Sequence, residues 1–357
     1  MTVCVTGATG FVASWLVADL LRKGEHVRGT VRDRNRAGHL ISLPGAAERL
    51  TLVEAELQTP GAFDDAVADC TTVFHTASPY VVDVEDPQRD LVDPAVQGTL
   101  NVLGACLRAP GVARLVLTSS MVAVTDEPDS NHVLTEADWN TKSTLVRNPY
   151  YLSKTLAERA AWDFMVHERP RFDLVAVNPF MIMGPSYSRA VNTSNQILVD
   201  LANGAFPAII SLTWGLVDVR DVATAHVRAA EVPAASGRYL CAQQPVTMRQ
   251  VVGWLREAGF GARSRLPSRG LDNALGNLLV RLDSYRRRTG TGSYLRTHVG
   301  RTPRYDTSKI SRELGVTFRP ARETVLDAMH DLARWGHVPS PSPPARSAGQ
   351  KTMAKPR

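Results

Sequence analysis

The first residues of the chain combine an apolar strand pattern, a glycine turn and an amphipathic helix pattern without interruption. The run reads Val3-Cys4-Val5-Thr6-Gly7-Ala8-Thr9-Gly10-Phe11-Val12-Ala13. Gly7 permits a tight turn out of the strand, and Gly10 lets a pyrophosphate approach the backbone at the helix N-terminus. Ala13 is small enough for the helix to lie close to the sheet. This Gly-x-x-Gly-x-x-Ala spacing at a strand-to-helix junction predicts a dinucleotide pocket.

Short apolar runs alternate with helical patterns through the first half of the chain. Candidate strands are 2–6, 26–31, 50–54, 71–75, 113–118 and 172–177, and candidate helices are 11–22, 61–67, 93–108 and 150–168. Such alternation predicts an α/β fold with a Rossmann-type, doubly wound parallel sheet. Beyond residue 178 the pattern loosens, which predicts a smaller C-terminal substrate-binding region.

The predicted domains follow this change of pattern. We expect a nucleotide-binding Rossmann domain at 1–177, to which 217–240 returns, and a substrate-binding region formed by 178–216 and 241–336. Residues 337–357, rich in Pro, Ser, Ala and Lys/Arg, predict a disordered basic tail.

The net charge of +6 is concentrated in two segments. Residues 262–304 hold ten Arg and two Asp, a net charge of +8, and residues 337–357 carry +4, which leaves −6 for the rest. A basic pI from two local segments does not indicate a nucleic-acid-binding surface.

Composition also limits compartment and partners. No run of about 18 apolar residues occurs, so we expect no membrane partner. The four cysteines are scattered without a Cys-x-x-Cys pair, which predicts reduced, structural thiols in a cytoplasmic protein and no metal.

The second candidate strand indicates which dinucleotide binds. It ends with Arg32, where NAD sites usually place an Asp or Glu to hold the ribose 2′-hydroxyl. Because an arginine can clamp a 2′-phosphate that an acid would repel, we predict NADP(H), with Asp33 pointing away. The alternative is that Arg32, Arg34 and Arg36 form a solvated basic loop.

Tyr150 and Lys154 predict the reaction. Their four-residue spacing places both on one helix face, where a lysine ammonium lowers the pKa of a phenol. Tyr150 would protonate a carbonyl oxygen as a hydride arrives at carbon, and Lys154 would hold the nicotinamide ribose. Ser120, after the preceding strand, would polarise that oxygen. The spacing alone is common on helix surfaces; the order nucleotide turn, Ser, Tyr, Lys favours catalysis.

These residues resemble a known family. The chain is similar to extended short-chain dehydrogenases, and among them to the dihydroflavonol reductase-like carbonyl reductases. The resemblance spans residue 2 to about 245 and rests on Thr6 to Phe11, Arg28 to Arg32, Val73 to Pro79, Leu117 to Ser120, Tyr150 to Trp162, Asn178-Pro179 with Gly184-Pro185, and Val217 to Ala223.

The resemblance implies the site residues. The catalytic residues would be Ser120, Tyr150 and Lys154. Arg32 and Arg36 would bind the 2′-phosphate, Glu56 and Leu57 would lie beside the adenine, and Pro179 to Ile182 would border the nicotinamide. The full set of predicted cofactor contacts is Gly7, Thr9, Gly10, Phe11, Val12, Arg32, Arg36, Glu56, Leu57, Thr76, Ala77, Ser78, Tyr150, Lys154, Pro179, Phe180, Met181, Ile182 and Ser194.

Two departures from relatives narrow the substrate. Thr125 stands where flavonoid reductases carry an asparagine, and the Asn-Trp-Tyr-Cys-Tyr-Gly-Lys run of cinnamoyl-CoA reductases is absent. We therefore expect a general aldehyde or ketone reductase with an apolar pocket, and the pocket candidates are Tyr80, Met121, Thr125 and Met183. The Arg-rich segment 262–304 is either a solvated lid edge or an attractor of phosphorylated or CoA-linked substrates.

The predicted function is reversible NADPH-dependent reduction of a small-molecule aldehyde or ketone by a monomer or homodimer. Two alternatives stay open at this point. One is a 3β-hydroxysteroid dehydrogenase or a nucleotide-sugar epimerase of the same superfamily. The other is a non-catalytic NADP-binding sensor.

Overall fold

The computed structural model describes residues 1–78, 84–129, 131–287 and 289–342. Its strands are β1 Thr2–Thr6, β2 His26–Val31, β3 Leu50–Glu54, β4 Thr72–His75, β5 Arg114–Thr118, β6 Asp173–Pro179, β7 Met181–Met183, β8 Ile209–Ile210, β9 Thr213–Trp214, β10 Leu216–Asp218, β11 Gly237–Cys241, β12 Val246–Thr247 and β13 Gly270–Leu271. Its α-helices are α1 Phe11–Arg22, α2 Gly38–Ile41, α3 Ala46–Arg49, α4 Asp64–Val67, α5 Asp93–Arg108, α6 Pro149–Glu168, α7 Thr193–Asn203, α8 Val219–Glu231, α9 Met248–Glu257, α10 Ala274–Asp283, α11 Thr289–His298, α12 Ser308–Leu314 and α13 Ala321–Arg334.

Seven parallel strands form the central sheet, in the order β11-β6-β5-β4-β1-β2-β3. Helices α1 and α8 pack together on one side, while α5 and α6 pack together on the other. The predicted doubly wound parallel fold is confirmed. Strand order reverses between β1 and β4, and ligands of such sheets bind in the crevice beyond the carboxyl ends of strands at this point.

The first six predicted strands occur within a residue or two of their predicted bounds. The short helix predicted at 61–67 begins later, at Asp64, because Gly61 has a left-handed φ of +76° that interrupts a helix. Strand β11 was not among the candidate strands. Its second residue is Arg238, a charged side chain that the apolar pattern does not favour, yet it is buried.

The predicted tail begins too early at residue 337. Val338 is buried in the core, and the Ser342 amide donates to the Gly259 carbonyl at 2.9 Å. Residues 337–342 are thus packed against the protein because Val338 provides apolar surface to bury. Residues 343–357 lie outside the described part of the chain.

Three large apolar clusters stabilise the molecule. One lies between the sheet and helices α1 and α8, and a second lies between the sheet and helices α5 and α6. The third joins α7, α9 and α13 around Leu198, Val252 and Val325. All four cysteines are free and buried, as predicted. Within the described ranges, no helix combines the length and apolarity needed to cross a bilayer.

Candidate active site

The turn between β1 and α1 leaves backbone amides exposed to a ligand. Gly7 has a φ of +64°, and a Cβ atom there would lie 3.1 Å from the Ala77 Cα, so a side chain would be crowded as well as strained. The Gly10 amide donates to the Gly7 carbonyl at 2.8 Å, and no side chain caps the first turn of α1. Phe11 and Val12 begin that turn, so their amides face a place where a phosphate would be bound.

The end of β2 carries a basic edge. Arg32 and Arg36 are exposed, and neither has an ion-pair partner in the part of the chain that the structure describes. Arg34 approaches Glu54 at 3.9 Å. The Asp33 carboxylate accepts the Asn35 amide at 2.9 Å and caps a short 3-10 helix, so this acid is already used by the local backbone. Exposed arginines such as Arg32 and Arg36 could form charge-assisted hydrogen bonds with a phosphate.

His75 ends β4 as a structural residue. Its Nδ1 lies 2.9 Å from the Thr6 hydroxyl, which also accepts the amides of Thr76 and Ala77 at 3.1 Å each. Burial, together with the nearby charge of Lys154, lowers the pKa of His75 to about 3. The ring is therefore neutral at physiological pH and holds the two strand ends together.

Ser120 follows β5 and precedes a single 3-10 turn. Its hydroxyl accepts the Val122 amide at 3.3 Å, and its carbonyl accepts the Asn178 Nδ2 at 3.1 Å. The side chain is half-buried, so it remains accessible at the carboxyl edge of the sheet.

The start of α6 is fixed by an unusual residue, Asn148. Its φ of +50° is left-handed, a conformation that asparagine tolerates better than most residues. Its amide donates to the Ser293 hydroxyl at 3.1 Å, and its Nδ2 donates to the buried Asp126 carboxylate at 2.8 Å. The helix then begins at Pro149, so Tyr150 stands in its first turn.

Tyr150 and Tyr151 are adjacent but have different surroundings. Their rings meet edge to face with centroids 6.2 Å apart. The Tyr151 hydroxyl lies 3.3 Å from His298 Nε2. Tyr151 is therefore joined to α11, whereas Lys154 follows Tyr150 by one turn on the same helix.

Lys154 reaches the ends of β4 and β5. It lines a small cavity with His75, Ala77, Ser78, Thr99, Leu117, Thr118, Ser119, Ala157 and Glu158. Burial lowers the pKa of Lys154 to about 8, while the Glu158 carboxylate acts in the opposite direction. The ammonium form persists at neutral pH and becomes scarce under alkaline conditions.

A buried network beneath Lys154 was missed by sequence reasoning. Glu158 is fully buried and accepts from Ser119 Oγ at 2.5 Å, Asn178 Nδ2 at 2.8 Å and Arg238 Nε at 2.7 Å. The guanidinium of Arg238 lies 3.9 Å from the ring centroid of Trp139. Glu158 follows Lys154 by four residues on one helix face, which was a visible signal, but Arg238 is 80 residues away.

The predicted adenine and nicotinamide contacts are placed at two separate strand ends. Glu56 is exposed beyond β3 and accepts the Leu57 amide at 3.0 Å. Beyond β6, Phe180 packs on Tyr305 with ring centroids 5.0 Å apart. Pro179 is buried, and the side chains of Met181, Ile182 and Ser194 are half-buried.

The predicted substrate residues find little support in the packing. Met121 and Met183 are buried within apolar clusters, so neither presents surface to a substrate here. The apolar side chains that suggested a pocket wall pack in the core instead. Thr125 is half-buried, and its hydroxyl donates to the Glu127 carbonyl at 2.7 Å. Tyr80 lies outside the described residues.

Part of the Arg-rich segment lines a second cavity, with a volume of about 340 Å³. Its walls are Glu127, Val146, Arg147, Tyr285, Ser293, Arg296, Thr297 and Arg301. Glu127 pairs with Arg147 at 2.8 Å and with Arg301 at 2.5 Å, so two of the three lining arginines share one carboxylate. The Arg296 guanidinium lies over the Tyr285 ring instead.

A seven-stranded parallel sheet with a glycine turn at its switch point defines a nucleotide-binding fold of the Rossmann type, the fold of the extended short-chain dehydrogenases. Residues 3–242 match the NAD dependent epimerase/dehydratase family, and the chain belongs to it.

Relatives and solved structures agree with this family. Cinnamoyl-CoA reductase CAD2 of Medicago truncatula is 45% identical over 265 residues, covering 71% of this chain and 80% of that protein. Tetraketide alpha-pyrone reductase 1 of Arabidopsis thaliana is 37% identical over 347 residues, covering 94% of this chain and 96% of that protein. The structure of yeast methylglyoxal/isovaleraldehyde reductase Gre2 complexed with NADPH superimposes with a TM-score of 0.79, at 30% identity, over 95% of this chain and 100% of that chain.

Proposed function

We propose that this protein reduces an aldehyde or ketone to an alcohol with NADPH, with Tyr150 as the proton donor. The observation that carries the proposal is the placement of Lys154. It follows Tyr150 by one helical turn and lines a cavity with Ser119 and His75, at the edge of the sheet where Ser120 also lies.

The residues present fit NADP(H). The uncapped start of α1 would bind the pyrophosphate, and the crowded, left-handed Gly7 leaves the backbone free to approach it. Arg32 and Arg36 would bind the 2′-phosphate. When bound, NADPH supplies the hydride.

The chain's own residues supply the proton and the positioning. Tyr150 would give its hydroxyl proton to the carbonyl oxygen, and the Lys154 ammonium would stabilise the phenolate that remains. Ser120 would donate a hydrogen bond to the same oxygen, stabilising negative charge as it develops there. His75, neutral and bonded to Thr6, would take no proton at neutral pH.

The names of relatives support carbonyl reduction over other chemistry of the superfamily. The chain's relatives include a cinnamoyl-CoA reductase, a tetraketide alpha-pyrone reductase and a dihydroflavonol 4-reductase. The basic β2 end favours NADP(H), whereas an acid there would favour NAD. We propose a general aldehyde or ketone substrate with an apolar body.

The test follows NADPH oxidation against a panel of aldehydes, ketones, diketones, 3β-hydroxysteroids in the reverse direction and nucleotide sugars. Tyr150→Phe should lower kcat by roughly 100-fold or more, since a positioned proton donor contributes that much. Tyr151→Phe is the matched control and should retain most activity. Equal activity of Tyr150→Phe and wild type would refute the mechanism. Cofactor binding without turnover of any substrate would favour the sensor alternative.

A further inference from the structure

Helix α10 exposes an apolar ridge. Leu275, Leu278, Leu279 and Leu282 are 66%, 54%, 49% and 59% exposed, respectively. Their spacing of three, four and seven residues from the first places all four on one face of the helix. A contiguous apolar face of this kind on the surface marks an interaction site, unlike single exposed leucines.

The opposite face of α10 fixes this orientation. Gly276 is buried, and a Cβ atom there would overlap the backbone of Leu271. Because α10 lies this close to Leu271, it cannot rotate about its own axis to bury the leucines. Arg281 donates to the Val299 carbonyl at 2.9 Å, and Ser284 is fully buried. Val280 packs on the apolar core, and the rest of this inner face is small or polar, so the four leucines stay on the outer face of α10.

Basic and aromatic residues continue the ridge. Tyr285 is 73% exposed, and Arg286 and Arg287 follow it on the surface. Arg287 also forms an exposed ion pair with Asp283 at 2.7 Å. The surrounding segment 262–304 has ten arginines and two aspartates in a chain whose remaining residues before the tail carry a net −6. An outward apolar ridge, an interfacial tyrosine and flanking arginines are the features of a helix that lies on an anionic lipid surface.

Other occupants fit this face less well. A second copy would bring two segments of charge +8 together, which like-charge repulsion disfavours. Residues 343–357 contain no Leu, Ile, Val or Phe and carry +4, so they offer neither apolar cover nor opposite charge.

We propose that α10 docks this protein on an anionic lipid surface, with the four leucines in the interface and Arg286 and Arg287 on the headgroups. We expected no membrane partner because the sequence contains no run of apolar residues long enough to span a bilayer. A helix that lies flat in the membrane interface does not need such a run. The proposal stands apart from the proposed function, because none of its residues lies in the candidate active site.

The experiment is cosedimentation of the full chain with vesicles of phosphatidylcholine, with or without phosphatidylserine. Binding should require phosphatidylserine and weaken as salt is raised. The double variant Leu278→Ser/Leu279→Ser should bind vesicles at least roughly tenfold more weakly, because apolar burial is lost. Arg286→Glu/Arg287→Glu should lose a similar amount at low salt.

Val166→Ser is the matched control, because Val166 is 68% exposed on α6, away from α10. It should bind like wild type. The basic segment 343–357 is present in every variant, so a loss on changing the leucines belongs to α10. NADPH oxidation and thermal unfolding of each variant show that it is folded.

Three outcomes would overturn the proposal. The first is no binding by wild type, and the second is equal binding to neutral and anionic vesicles. The third comes from sedimentation velocity without lipid. If wild type did not bind vesicles but formed a dimer, and Leu278→Ser/Leu279→Ser were a monomer, the leucine face would be an interface with a second copy.

Discussion

The Ser119 hydroxyl donates a 2.5 Å hydrogen bond to the buried carboxylate of Glu158. This contact joins the loop after β5, which holds Ser120, to the helix that holds Tyr150 and Lys154. Asn178 forms a second link, because its Nδ2 donates both to Glu158 and to the Ser120 carbonyl. The three proposed catalytic residues are therefore positioned by one buried network.

Removal of one charge from this network should be costly. Glu158→Gln leaves the Arg238 guanidinium buried without its counter-charge, and breaking a buried pair in this way costs about 3–5 kcal/mol. The double variant Glu158→Gln/Arg238→Gln should be destabilised by less than the sum of the two single changes. Urea unfolding measures all three. Glu231→Gln, in an exposed pair with Lys23, should cost at most about 1 kcal/mol, and an equally small cost for Glu158→Gln would contradict the prediction.

The reduction should lose activity at alkaline pH. The depressed pKa of Lys154, about 8, means that the ammonium is present below this pH and is lost as pH rises through it. We expect kcat/KM for reduction to fall there, with an inflection that belongs to the coupled Tyr150–Lys154 pair. Lys154→Arg keeps the charge and should move the inflection upward, whatever its effect on absolute activity. Lys142→Arg on the surface should leave the inflection in place; an unmoved inflection in Lys154→Arg would exclude Lys154 as its origin.

Two neighbouring arginines should differ in their effect on cofactor choice. Arg32→Ala should raise the KM for NADPH roughly tenfold or more, since a hydrogen bond to a charged group contributes about 1.5–3 kcal/mol. The KM for NADH, which lacks the 2′-phosphate, should change little. Arg34→Ala serves as the control, because Arg34 already approaches Glu54. If both variants affected NADPH and NADH alike, the 2′-phosphate contact would be wrong.

Acid should weaken the ion pairs that Glu127 forms with Lys142, Arg147 and Arg301. Burial acts to raise the pKa of Glu127, but hydrogen bonds from Lys142, Arg147 and Arg301 outweigh it and hold the pKa at about 2. The stabilisation is complete above the ordinary value of 4.5 and is lost as pH falls towards 2. Glu127→Gln should therefore flatten the pH dependence of the free energy of unfolding in this range. The exposed Glu48→Gln should leave the slope unchanged, and a slope insensitive to Glu127→Gln would count against the ion-pair cluster.

Local patterns were sufficient to predict six of the seven strands of the sheet and the glycine turn. Strands β1 to β6 are short apolar runs, and Gly7 and Gly10 mark a turn whose geometry depends on neighbours in the sequence. The Tyr150–Lys154 spacing was visible for the same reason, since one helical turn joins the two residues.

Features that depend on distant partners were not predictable. In the sequence, Glu158 resembles any charged residue on the exposed face of a helix. Its burial becomes evident only when the fold brings Arg238 and Asn178 against it. Met121 and Met183 are apolar whether they line a pocket or fill a core, and only the three-dimensional packing distinguishes the two. The leucines of α10 follow a core-like spacing but are oriented outward by contacts of Gly276 and Arg281.

The hydrogen bond between Asn148 and Ser293 spans 145 residues and joins the start of α6, which carries the proposed proton donor, to α11. Chimeras that exchange α11 between homologues would break this hydrogen bond unless a serine or an equivalent acceptor stood at position 293. Directed evolution of substrate scope in α11 should accordingly alter turnover number as well as substrate affinity, because the tyrosine's helix would lose its anchor. Library design for this enzyme should keep Asn148 and Ser293 together as a unit.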